Sequence, residues 1–185
     1  FVRAAAEVAA SRPDVTFRII GSALFRDSAY EEKVRDVASA SHLGERLEFA
    51  GWTSDPGAAL RQLSVLVHAS PVPEPFGQVI AEAMAAGVPV IATAAGGVLE
   101  ILDPTGQAEA VDNGVLSSEF GVLVRPGDAH ALALAITRVL EHPAAASAMA
   151  RRARESALER FSIEETSRVI SSAWDRALPQ TGKIT

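Results

Sequence analysis

Cysteine is absent from the 185 residues, which excludes a disulfide framework, a thiol nucleophile and cysteine-bound zinc, and fits a cytoplasmic home. No uncharged apolar run reaches the roughly 18 residues that a membrane-spanning helix needs. Cations are outnumbered, 17 Lys and Arg against 23 Asp and Glu, for a net charge of -6. A nucleic acid polymer, which clustered cations must neutralise, is therefore not an expected partner. A single small phosphorylated molecule stays open, because backbone amides can hold it. There is also no repeat of fixed period, no start methionine and no charged-then-apolar secretory order. The opening "FVRAAAEVAASRPDV" reads as the end of a helix, and the chain is expected to be part of something longer.

What is present is an ordinary globular balance, 48% apolar and 22% charged, at a length that suits one domain. The apolar pattern changes period along the chain. "VTFRIIG" (15–21), "RLEFAGW" (46–52), "SVLVHAS" (64–70), "GVPVIAT" (87–93) and "FGVLV" (120–124) read as strands, two of them nearly continuous in apolar character as in a sheet covered on both faces. Helices are expected over 28–42, with Tyr30, Val34, Val37 and Ala38 on one face and Ser28 as N-cap. Others are expected from Asp55-Pro56 to residue 63, between the third and fourth strands, and over 128–143, 144–161 and 162–178. Ser162 and Glu165 make a capping-box pair. Strands alternating with helices predict an α/β domain with a mostly parallel sheet and right-handed crossovers. Residues 103–119 read as a loop with a short strand, and the tail 179–185 as frayed.

In such sheets ligands gather outside the carboxyl ends of the strands, and "PEPFGQVIAEAMAAG" (73–87) follows one of those ends. Pro75 suits a position just inside a helix start. Phe76, Gly77, Gln78 and Val79 would then present first-turn N–H groups carrying about half a positive charge, a natural seat for a diphosphate. Glu74 before the turn and Glu82 within the helix can only accept hydrogen bonds, so paired sugar hydroxyls are suitable partners. The residues alone leave a second reading open, two solvated carboxylates at the start of an ordinary surface helix. His42, His68, His130 and His142 are scattered and show no metal-ligand spacing; each is expected at the surface or a strand end.

The string "EPFGQVIAEAMAAGVPVIATAAGGVLEIL" (74–102) resembles the E-x7-E region of the group 1 (family GT4) retaining glycosyltransferases. The resemblance extends to residues 21–55 and 121–143 in the family's order. It implies the C-terminal, donor-binding, Rossmann-like half of a GT-B fold over residues 1–178, with 162–178 a terminal helix that packs on an N-terminal acceptor-binding domain. That domain is absent here, as are the family's first strand and its Arg and Lys for the diphosphate.

By the resemblance, Glu74 is the catalytic-site acid at the donor sugar and Glu82 holds the ribose. The amides around Phe76, Gly77, Gln78 and Val79 hold the diphosphate, and Trp52, Thr53 and Gly21 line the base site. The implied reaction moves a sugar from a UDP-, GDP- or ADP-sugar to a glycan or lipid, with no metal and no cofactor. The fragment alone is expected to be inactive. The implied location is cytoplasmic, with the inner membrane face reached, if at all, through the missing domain. Trp174 is expected to pack among Val169, Ile170 and Ala173, at the contact with that domain. Two other readings are a non-catalytic nucleotide-binding or interaction module of the same fold, and a nucleotide-sugar epimerase, for which no matching acid and base residues are found.

Overall fold

The computed structural model describes residues 1–22 and 28–177. Helix α1 (Val2–Ser11) leads into β1 (Phe17–Ile20), α2 (Ser28–Ala40), β2 (Leu47–Gly51), α3 (Pro56–Arg61) and β3 (Leu66–His68). Next come α4 (Gln78–Ala85), β4 (Val90–Thr93), α5 (Gly97–Leu102), β5 (Glu109–Asp112), β6 (Val115–Ser117) and β7 (Val122–Val124). Three helices close the chain: α6 (Ala129–Glu141), α7 (Pro143–Arg160) and α8 (Ile163–Ala177). This is the expected α/β architecture, with every strand that the apolar pattern predicts.

The strands form two pieces. β1 and β2 pair in parallel, Phe17 opposite Leu47 and Ile19 opposite Phe49. The second piece has the order β3-β4-β7-β6-β5. Its first three strands are parallel, and β6 and β5 run antiparallel at the far edge. Among the described residues, β1 and β3 each have one strand partner. Side chains of both line a cleft of about 1430 Å³ that separates the two pieces.

Because successive side chains of a strand point to opposite faces, β4 and β7 feed two cores. Ile91, Val122 and Val124 pack with α1 and α6, whereas Val90, Ala92 and Leu123 pack with α4, α5 and α7. Small residues let α1 approach closely: Ala4, Ala5, Val8 and Ala9 are all buried. Burial of this kind contributes about 25 cal/mol per Å² of apolar surface, so both faces of the sheet need the helix layers that the sequence supplies.

Several expectations change. Residues 103–119, expected as a loop with one short strand, hold two: β5 and β6 form a hairpin around Asn113-Gly114 that extends the sheet. Tyr30 is exposed, while Val34, Val37 and Ala38 do face the core. Ser28, expected as the cap of α2, is instead its first helical residue, and the 179–185 tail lies outside the described residues. Ser162 caps α8 by accepting from the Glu165 N–H at 3.2 Å, but the Glu165 carboxylate turns to Arg168, so only half of the capping box forms. Helix α8 has no buried residue. Trp174 is 68% exposed, with Val169 and Ile170 also exposed, so the expected packing of Trp174 within its own helix neighbourhood is not found. No helix among the described residues is long and apolar enough to cross a membrane.

Candidate functional site

The carboxyl ends of β1 and β2 turn away together, with the Gly21 N–H donating to the Gly51 carbonyl at 2.7 Å. Trp52 follows, 73% exposed. The loop that carries it is pinned into α3 by Asp55, whose Oδ1 accepts from the Ala58 N–H at 2.8 Å while its own N–H donates to Thr53 Oγ1 at 3.2 Å. Losing a cap of this type costs about 1 kcal/mol. Asp55→Ala is therefore expected to lower stability by about that much in thermal unfolding, while the backbone N–H that holds Thr53 is kept.

Across the cleft, the ends of β3 and β4 are tied by Thr93, whose buried hydroxyl donates to the Ser70 carbonyl at 2.9 Å. Glu74 then forms a parallel bridge with Gly96, and its carbonyl accepts from the Gly97 N–H at 2.8 Å. This contact lies so close to the chain of Glu74, Pro75 and Phe76 that a Cβ at either Gly96 or Gly97 would overlap backbone atoms. The Phe76 ring meets Phe161 edge-on, centroids 5.6 Å apart. Phe161 is in turn covered by the Arg160 guanidinium, which donates to the carbonyls of Glu100 and Ile101.

Helix α4 therefore starts later than the sequence suggests. Pro75 and Phe76 precede it, and Gly77 is the N-cap in the left-handed region (φ 94°, ψ 52°) that glycine adopts without a Cβ penalty. The N–H groups of Phe76, Gly77, Gln78 and Val79 make no hydrogen bond among the described residues, whereas that of Ile80 bonds the Gly77 carbonyl at 2.9 Å. The cluster of free amides expected from the sequence is present, but only two of its four members belong to the helix. Glu82 lies half-buried on α4 and accepts from the Gln78 side chain at 2.9 Å, an i,i+4 pair that fixes its orientation.

Of the residues singled out in the sequence, Gly21, Trp52, Thr53 and Val79 line the same cleft. Glu74, Phe76, Gly77, Gln78 and Glu82 are on the turn and helix that border it through Pro71 and Val79. Gly96 and Gly97, which set this turn, stand in the string 74–102 without a local signal of that role. Arg125, which no local pattern marks, lines the cleft just after β7 and makes no ion pair or side-chain hydrogen bond among the described residues.

His68, expected at a strand end, is indeed the last residue of β3. Its side chain is only 14% exposed and its Nε2 is 3.8 Å from Glu74 Oε2. Burial pushes the imidazole pKa below its ordinary value, and the negative charge of Glu74, followed by the residue's own backbone, pulls the other way more weakly. His130 pairs with Glu7, and His142 contacts the Arg138 carbonyl.

A family model and several known proteins match the chain. The family model described as "Glycosyl transferases group 1" matches residues 1–156. The lipopolysaccharide core biosynthesis glycosyltransferase LpsE of Rhizobium meliloti is 28% identical over 158 residues, covering 85% of this chain and 41% of that protein. Among solved structures, HepE of Anabaena in complex with UDP-glucose superposes with a TM-score of 0.81 at 30% identity, covering 95% of this chain and 44% of that one. The C-terminal domain of the group 1 glycosyl transferase LpcC from Francisella tularensis superposes at 0.70 with 27% identity, covering 88% of this chain and 78% of that domain. The chain thus spans less than half the length of LpsE and of HepE.

Proposed function

The chain belongs to the group 1 glycosyl transferases, and on that premise we propose that it is the donor-binding half of a retaining enzyme of family GT4. It would bind a nucleotide diphosphate sugar for transfer to a glycan or lipid acceptor. The observation that carries the proposal is the cluster of unbonded amides from Phe76 to Val79. Glu74 stands before it and Glu82 after it, beside the cleft that Gly21, Trp52 and Thr53 line.

In this reading Trp52 and Thr53 seat the base, Glu82 accepts from the ribose hydroxyls, and the amides hold the diphosphate. Glu74 contacts the donor sugar near the reacting carbon. As the sugar departs with oxocarbenium character, negative charge grows on the diphosphate. Preoriented N–H dipoles are strongest against charge that develops in the transition state. UDP is the favoured nucleotide because HepE, a similar protein, binds UDP-glucose; GDP and ADP are the alternatives.

The domain is taken as 1–178. The apolar, unburied face of α8, with Ile163, Ile170 and Trp174 exposed, suits a contact with an acceptor-binding domain, without which no turnover is expected. The cleft between β1 and β3 suits one further strand, as similar enzymes carry. Any approach to the inner membrane face would be made through the acceptor-binding domain, with this half in the cytoplasm.

Titration calorimetry with UDP, GDP and ADP tests the site. Glu82→Ala is expected to weaken the preferred diphosphate about 10-fold or more, since hydrogen bonds to a charged group contribute about 1.5–3 kcal/mol. Glu74→Ala should leave it nearly unchanged, because Glu74 is assigned to the sugar. If neither substitution alters the binding of any nucleotide, this rim is not the donor site, and the non-catalytic module becomes the better reading.

A further inference from the structure

Glu74 has a fixed backbone and an almost unguided side chain. Its main chain is held by Gly96 and Gly97. Among the described residues, however, its carboxylate makes no hydrogen bond, and the one charged or polar group recorded beside it is His68. The imidazole Nδ1 is fully enclosed and has no partner at hydrogen-bond geometry.

The rest of β3 is apolar, so a histidine here is costly. A buried polar atom left unpaired destabilises a fold by about 1–3 kcal/mol, a cost that leucine at this position would avoid. The lower-cost tautomer leaves Nδ1 as a bare acceptor, since buried unpaired N–H groups are the rarer kind. The proton is then on Nε2, the nitrogen that faces the carboxylate. At 3.8 Å the pair is just outside hydrogen-bond range, and contacts of this type often close when substrate loads the acid.

We infer that His68 is a positioning residue for Glu74: it donates Nε2–H to the carboxylate and holds it toward the donor sugar. The inference deepens the donor-site reading and rests on it. It predicts an effect on the sugar and none on the nucleotide, because among the described residues no hydrogen bond or ion pair joins His68 to the amide cluster or to Glu82.

The test is calorimetry on the chain with UDP-, ADP- and GDP-glucose, each compared with its bare diphosphate. The readout is the ratio of nucleotide-sugar affinity to diphosphate affinity. His68→Phe, which keeps an aromatic ring and loses the donor, is expected to lower that ratio about 10-fold, the lower end for a hydrogen bond to a charged group, with diphosphate affinity unchanged within about 2-fold. His68→Gln, which restores an N–H donor at a similar reach, should recover most of the loss. His68→Met has the shape of Gln without its amide and should not, so the comparison survives if the Phe variant fails to fold.

Combined with Glu74→Gln, which also lowers the ratio, His68→Phe should add nothing further, since coupled residues are non-additive. The inference is overturned on its own if Glu74→Gln lowers the ratio while His68→Phe leaves it unchanged. It is overturned equally if the two effects simply add, or if Met serves as well as Gln. If Glu74→Gln itself has no effect, or no nucleotide binds, the donor-site reading fails and the inference falls with it.

Discussion

Gly96→Ala is expected to lower stability by about 3 kcal/mol or more, an effect at the upper end of single substitutions, and to abolish nucleotide-sugar binding. A Cβ at residue 96 would lie 2.3 Å from the Glu74 carbonyl oxygen, 3.0 Å from its nitrogen and 3.1 Å from its carbonyl carbon. All three are backbone atoms, so no rotamer can relieve the overlap. The backbone of Gly96, φ 63° and ψ -143°, also lies close to a region that is essentially reserved for glycine and costs other residues about 1–3 kcal/mol. The collision must therefore push the Glu74–Phe76 segment outward and open the bridge that sets it. Thermal unfolding should register a fall of about 6–12 °C for a chain of this size. A melting temperature within about a degree of the parent would show that the contact is not what fixes Glu74.

The second large effect is expected at Ile80, which is fully buried in the first turn of α4. Its Cδ1 lies 3.1 Å from where a Cβ on Gly77 would stand, so it fills the space directly beneath the left-handed cap. Ile101 of α5 closes the same space from the other side. Ile80→Ala removes three carbons from a site with no solvent to replace them, and changes of this kind destabilise by about 2–5 kcal/mol, depending on how far the surroundings collapse. Chemical denaturation should give a lower midpoint with an unchanged slope. Ile80→Val, which removes one methyl, should cost about 0.5–1.5 kcal/mol. If Ala costs no more than Val, the cap is not supported from below, and the amide cluster must be held by the Gly96 contact alone.

Much of this architecture is legible in the sequence because it is written in local periodicity. The alternation that places Ile91 in one core and Val90 and Ala92 in the other follows from the two-residue repeat of a strand, and the parallel pairing of β3, β4 and β7 follows from helices between apolar runs. What differs from the local pattern depends on distant partners or on a short turn signal. Pro75 suits a first turn and points to an early start for α4; the chain is instead drawn away by Gly96, twenty-two residues on from Glu74. The hairpin at 109–117 carries its own signal, Asn113-Gly114 between short strands, which the weak apolar content around it hid. Helix α8 has a clear apolar face, yet periodicity cannot say what covers it. Nor can a lone histidine in "SVLVHAS" announce which side chain it faces. The Glu74 and Glu82 positions were legible as candidates, but the Gln78 amide that orients Glu82 and the ring beside Glu74 belong to the folded geometry.

The division of the sheet has a practical consequence. Among the described residues, β1 and β3 each turn one row of backbone donors and acceptors toward the cleft without a strand to receive it, and such rows are templates for a second molecule. Prepared at high concentration, this polypeptide should tend to self-associate through those borders, and a soluble extended peptide able to fill the gap should suppress the clumping.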